Sequence, residues 1–186
     1  MHGTTDTPLS PCERLPDEVL LPLLELVMLR YGQKRWCGAL RGVRRQWRAV
    51  HDGTCTRLQL RNGVTDEVMH TLCERLPALT DLSMIEVKSL TEDGLRAVGG
   101  LTTLIELYLP RCSNVTDAVL RALSGLPALT ELNLNGCTDV TNVGLQHLTS
   151  LAALTRLWLS SSISTKAGRD ALRDALPALR LIDRSF

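Results

Sequence analysis

Asp81, Glu106 and Glu131 recur at a fixed interval of 25 residues, with Arg57 before them and Arg156 after. Carboxylates repeated along one surface could work as a general acid and base, hold a cation, or dock a basic segment of a partner. Gln59, Ser83, Tyr108, Asn133 and Trp158 form a second series, displaced by 2 residues from the first. Tyr108 and Trp158, two of the chain's few aromatics, flank Asn133 in it. Large amphipathic rings in a surface row suit the anchoring of a protein partner. Cys112 and Cys137 also stand 25 residues apart, so neighbouring turns could bring them near disulfide range. The alternative is a ladder of buried thiols bonded to loop backbone, the expected state in a reducing compartment. The four histidines adjoin no serine or cysteine in a nucleophile motif.

The elements that position these residues follow from a repeat. LPALT at Leu76–Thr80 returns as LTTLI at Leu101–Ile105, LPALT at Leu126–Thr130, LAALT at Leu151–Thr155 and LPALR at Leu176–Arg180, each start 25 residues after the last. Leu82, Leu107, Leu132 and Leu157 keep the same step, and Ile182 is expected to continue it. Within a unit, L-x-x-L-x-L predicts a short strand with leucines inward, which turns the two polar series toward the opposite, concave side. Val-Thr-Asp (64–66 and 115–117), Leu-Thr-Glu (90–92) and Val-Thr-Asn (140–142) follow the strands. Thr and Asp there can accept the free N–H groups of a starting helix. Val119, Leu120, Leu123 and Leu126 then give one apolar helical face, predicting helices of roughly 8–10 residues. His70 and His147 fall on these helices, at the solvent edge, and Gly99-Gly100 suits a helix C-cap.

No unit can bury its apolar face alone, so the units must stack. The expected architecture is α/β, a right-handed solenoid in the form of a short horseshoe, with parallel strands concave and helices convex over 55–186. An open concave face offers no water-excluding cleft, so catalysis and metal binding give way to partner binding. Neither an enzyme nor a cofactor is expected. The acidic row either docks a basic segment or is a plain solvated face, and the candidate partner-binding residues are Asp81, Glu106, Tyr108, Glu131, Asn133, Arg156 and Trp158.

Leu129–Leu145 (LTELNLNGCTDVTNVGL) resembles the cysteine-containing subclass of leucine-rich repeats, of pattern L-x-x-L-x-L-x-x-C-x-x-I/V-T-D-x-x-L. Cys112 and Cys137 hold the cysteine position, and Gly63, Val87 and Ser162 replace it elsewhere. The resemblance runs from Cys55 to Phe186.

The segment 15–54, after an N-terminal tail at 1–14, has a different character. Leu15-Pro16-Asp17-Glu18-Val19-Leu20 places proline and two acids at a helix start. Leu20, Leu23, Leu24 and Val27 line one face, and a second helix carries Leu40, Val43 and Trp47. The opening and the later LRGVRRQWR (Leu40–Arg48) resemble an F-box, although Val43-Arg44 stands where the pattern has Val-Cys. Followed by leucine-rich repeats, this is the order of F-box/leucine-rich-repeat proteins. The resemblance implies docking on the Skp-type adaptor of a cullin–RING ubiquitin ligase, through Leu15, Pro16, Val19, Leu20, Leu24, Val43 and Trp47, with the substrate on the repeats. The alternative is a structural or scaffold subunit whose helices cap the open end of the solenoid, a role compatible with adaptor docking.

Composition agrees with a protein-binding role. In 186 residues, 44% are hydrophobic and 22% charged, near soluble globular averages. A net charge of +1 points to neither nucleic acid nor an anionic membrane. Val19–Leu29 is the longest apolar candidate, holds Pro22 and Glu25, and is too short to span a bilayer. The first residues lack the features of a signal or transit peptide. The six cysteines form no C-x-x-C pair, so a cytoplasmic or nuclear location is expected.

Overall fold

A computed structural model describes residues 55–60, 63–160 and 165–183. The tail at 1–14 and the F-box-like segment at 15–54, with Leu15, Pro16, Val19, Leu20, Leu24, Val43 and Trp47, lie outside the described residues. Among the described residues six strands alternate with five helices: β1 (Arg57–Leu60), α1 (Asp66–Arg75), β2 (Asp81–Met84), α2 (Glu92–Ala97), β3 (Glu106–Tyr108), α3 (Asp117–Leu123), β4 (Glu131–Asn133), α4 (Asn142–His147), β5 (Arg156–Leu159), α5 (Lys166–Ala175) and β6 (Arg180–Asp183). The strands form one parallel sheet in chain order, and each helix packs on the next. Strands space at about 4.8 Å and helices at about 8–10 Å, so the helical side is the longer and the sheet side turns inward.

The inward leucines are where the repeat predicts them. Leu107, Leu132 and Leu157 are each 0% exposed and stand at one register through β3, β4 and β5. Val119, Leu120, Leu123 and Leu126 are fully buried beneath them on the helical side. Three expectations are corrected. Leu181, not Ile182, pairs with Leu157, and Ile182 stands beside Trp158 in the concave row. The last unit has one residue fewer between its leucines (Leu179 to Leu181, against Leu129 to Leu132), and the strand shifts to keep leucine inside. Gly99 and Gly100 do not form a left-handed C-cap: they end a 3-10 turn, Val98–Gly100, and neither has positive φ. Glycine is needed at 99 because a Cβ there would come within 2.6 Å of the Ala122 carbonyl oxygen. The same tightening at Leu148–Ser150 leaves α2 and α4 at 6 residues, shorter than predicted.

The Thr-Asp pairs do more than cap their own helices. Thr65, Thr91, Thr141 and Thr165 each accept an N–H of the helix they start. The next residue reaches forward to the following unit. Asp66 accepts the Thr91 N–H at 2.8 Å and the Thr91 hydroxyl at 2.5 Å. Asp117 does the same to Thr141 at 2.8 and 2.6 Å. Asn142 accepts the Thr165 N–H at 3.2 Å and donates to its hydroxyl at 3.0 Å. Facing each of these short side chains is a glycine, Gly94, Gly144 or Gly168, where a Cβ would overlap the side-chain oxygen. The remaining junction is built differently. Glu92, one methylene longer, accepts the Thr116 hydroxyl at 2.8 Å. Val119 fills the place of the glycine and is fully buried.

Cys112 and Cys137 are free, buried thiols, not a disulfide. Cys112 donates to the Met84 carbonyl at 3.4 Å and Cys137 to the Leu109 carbonyl at 3.1 Å. Each thiol thereby ties its loop to the unit before it, Cys112 at the last residue of β2 and Cys137 one residue past β3. Burial pushes the Cys112 thiol up from its ordinary value, and pushes Cys137 from 9.0 to about 12. A buried neutral thiol is unreactive. Alkylation at pH 8 followed by mass spectrometry is therefore expected to leave both unmodified in the native chain and to modify both in urea. The raised value also has a stability consequence. The unfolded thiol ionises from about 9.0 while the folded one keeps its proton to about 12. The Cys137 contribution is thus intact below pH 9.0 and is lost as pH climbs through that window.

Candidate functional site

The strand register gathers the predicted residues into two concave rows. Arg57, Asp81, Glu106, Glu131 and Arg156 align across β1 to β5, and Arg180 extends the row on β6. Gln59, Ser83, Tyr108, Asn133 and Trp158 align beside them. The terminal arginines turn inward along the row. Arg57 Nε lies 3.5 Å from Asp81 Oδ1, and Arg156 Nη2 pairs with Glu131 Oε1.

Glu131 is the buried charge of this face, at 4% exposure. Its second oxygen accepts the Tyr108 hydroxyl at 2.8 Å, so both lone-pair sets are used and the desolvated carboxylate is compensated. Tyr108 Oη is 3.3 Å from Glu106 Oε2. Its single proton serves Glu131 first. Burial, then Glu131, push the Tyr108 hydroxyl well above its ordinary value of 10.0. Glu106 has no basic partner among the described residues. Of the three carboxylates in the row, Asp81 and Glu131 are thus paired with arginine, and Glu106 has only the longer contact to the Tyr108 hydroxyl.

Tyr108 and Trp158 stand two strands apart, roughly 10 Å at the backbone, yet their ring centroids are 5.9 Å apart with planes tilted by 43°. The rings lean together over Asn133 rather than standing apart on either side of it. Asn133 is short and occupied elsewhere, since its Oδ1 accepts the Asn135 N–H at 2.9 Å. Such a tilted aromatic contact contributes about 0.5–1.5 kcal/mol beyond its area. It presents one broad half-buried surface in place of two mobile rings. Diagonal neighbours on adjacent strands lie within reach of long side chains, and that rule could have signalled the Tyr108–Glu131 bond from the sequence.

On the other side of Tyr108 the middle row narrows to Ser83. The small side chain leaves an open hollow of about 380 Å³ between Gln59 and Tyr108, bordered also by Arg57, Asp81 and Glu106. Among the described residues no group of three His, Cys, Asp or Glu side chains could hold a metal ion, and no helix is long and apolar enough to cross a membrane. His70 sits on the convex side, its Nε2 3.2 Å from Asp93 Oδ2.

No family model matches this sequence, and no curated protein matches it. Among solved structures the chain is similar to an internalin (inlF) of Listeria monocytogenes, at 24% identity and a TM-score of 0.57, covering 74% of this chain and 37% of the internalin. It also matches a leucine-rich-repeat protein of Leptospira interrogans at 20% identity and a TM-score of 0.46, covering 72% of this chain and 38% of that one. A chain of the yeast Rad7–Elc1 complex matches at 18% identity and a TM-score of 0.35, covering 72% and 50%. The internalin likeness and the register together show a leucine-rich-repeat fold. The chain spans well under half the length of the first two structures.

Proposed function

We propose that the chain is a non-catalytic protein-binding module, the substrate-receptor subunit of a cullin–RING (SCF-type) ubiquitin ligase. The segment 15–54 docks on the Skp-type adaptor, and the concave face holds the substrate protein. One observation carries the binding role: the Tyr108–Trp158 pair, its tyrosine held by Glu131, standing on an open sheet face. Rigid aromatic surface exposed beside hydrogen-bonding groups is the composition of an interface hot spot. The adaptor role is supported by the resemblance of Leu15–Leu20 and Leu40–Arg48 to an F-box.

The test has two arms. The purified chain is expected to retain a Skp-type adaptor in a pull-down, and Leu20→Asp or Trp47→Ala is expected to abolish retention with circular dichroism unchanged. Failure of the wild-type chain to bind sinks the ligase reading and leaves the scaffold reading standing. Substrate affinity is expected to fall by about 1–3 kcal/mol in Tyr108→Ala or Trp158→Ala. Unchanged affinity in both removes the concave face as the binding surface.

A further inference from the structure

Resting on the reading of the concave face as a docking surface, we propose that the hollow over Ser83 is a socket for a single basic side chain of the bound protein, carried on an extended segment that crosses the sheet. Shape comes first. Ser83 is the smallest residue of its row, and its register neighbours, Gln59 and Tyr108, wall the hollow on either side. The space of about 380 Å³ is ample for one long side chain lying between those two walls.

Charge then selects the occupant. Two carboxylates border the hollow, Asp81 and Glu106. Asp81 is already matched by Arg57. Glu106 is matched by no cation among the described residues, and the one hydroxyl near it is engaged by Glu131 at the shorter distance. The arginines on the far side do not relieve it: Arg156 is spent on Glu131, and Arg180 stands on β6, three strands from Glu106. An apolar occupant would strip water from Glu106 and return nothing, and an acidic one would be repelled. A lysine or arginine head group makes a charge-assisted hydrogen bond there. Its alkyl stem lies along the Tyr108 ring, where the cation also gains from the aromatic face.

The probe is a synthetic peptide of alternating glycine and lysine, with acetyl-lysine and arginine counterparts, titrated into the isotope-labelled full chain and followed by NMR. The lysine peptide, the arginine peptide or both are expected to shift the Ser83 and Glu106 amide signals saturably, and the tighter of the two identifies the head group. Acetylation of the lysines, or Glu106→Gln, is expected to weaken binding about tenfold or more. Ser83→Trp, which fills the hollow, is expected to abolish it with circular dichroism unchanged, whereas Asp93→Asn on the convex side leaves it intact. Absence of saturable shifts at Ser83 and Glu106, or equal binding of the acetylated peptide, overturns the socket. So does equal binding by Glu106→Gln. The two readings fail separately. A partner whose binding needs Trp158 but ignores Glu106→Gln removes the socket and keeps the docking face. A partner that ignores Tyr108→Ala and Trp158→Ala removes the docking face itself.

Discussion

Leu132→Ala is expected to lower the unfolding free energy of the repeat array by about 3–5 kcal/mol, the upper range for a buried leucine cut back to alanine. Leu132 is 0% exposed and stands in β4 with Leu107 on one side and Leu157 on the other, each equally enclosed. No neighbour is free to collapse into the void, so the transfer loss and the cavity loss add. The position magnifies the effect. In a solenoid each unit is held only by its two neighbours, and a weak central unit uncouples the flanking pairs. Urea unfolding followed by circular dichroism is expected to show a lower midpoint and a shallower transition. Leu181→Ala is the comparison. That leucine is half-buried on the last strand, with a partner strand on one side among the described residues, and about 1–2 kcal/mol is expected. A loss below about 1 kcal/mol at Leu132 would contradict close packing of the stack.

Gly144→Ala carries the second large effect, and here two forces oppose. Alanine improves on glycine in a helix by about 1 kcal/mol, so propensity alone predicts stabilisation. The new Cβ, however, would overlap Asp117 Oδ1 and meet Leu120 Cδ1 at 3.0 Å. Asp117 must then leave Thr141, giving up two hydrogen bonds to a charged acceptor. Bonds of that kind contribute about 1.5–3 kcal/mol each where water is excluded, and less at an exposed site such as this. We expect a net loss of about 2–3 kcal/mol. A double-mutant cycle isolates the cause. Asp117→Ala should itself destabilise, and adding Gly144→Ala to it should cost far less than in the wild type, because the obstructing oxygen is gone. Additive losses would show that the glycine serves some other purpose. Gly100→Ala, with nothing within 4 Å of its Cβ, should be close to neutral.

The repeat made most of the fold legible. A 25-residue step repeated four times fixes which strand positions align, so the concave rows could be written down from the sequence and the register matches them from β1 to β5. The step misled at β6, where one residue is missing and inward packing of Leu181 outweighs the count. Side-chain pairing was less legible. The row of three acids was readable, but Arg57 and Arg156 close onto its ends through rotamers that spacing does not encode. The tilt that brings Tyr108 onto Trp158 depends on the shortness of Asn133 between them. Backbone detail was hidden where composition gives no sign. Glu86 and Arg111 adopt φ of 55° and 59° at the same place in the turn as Gly136, and only the glycine advertises a left-handed residue.

The hinge-like fit between neighbouring units also decides how such an array can grow. A unit entering with glycine accepts a short Asp or Asn from the unit before, and a unit entering with valine accepts Glu. Copied in tandem, the unit that enters with Gly94 and leaves with Glu92 would set the longer acid against its own glycine, with no valine to fill the space beside it. The unit of Val119 and Asp117 would drive a carboxylate against a buried valine. The unit of Gly144 and Asn142 fits a copy of itself, so lengthening by duplication is compatible there and penalised at the other two.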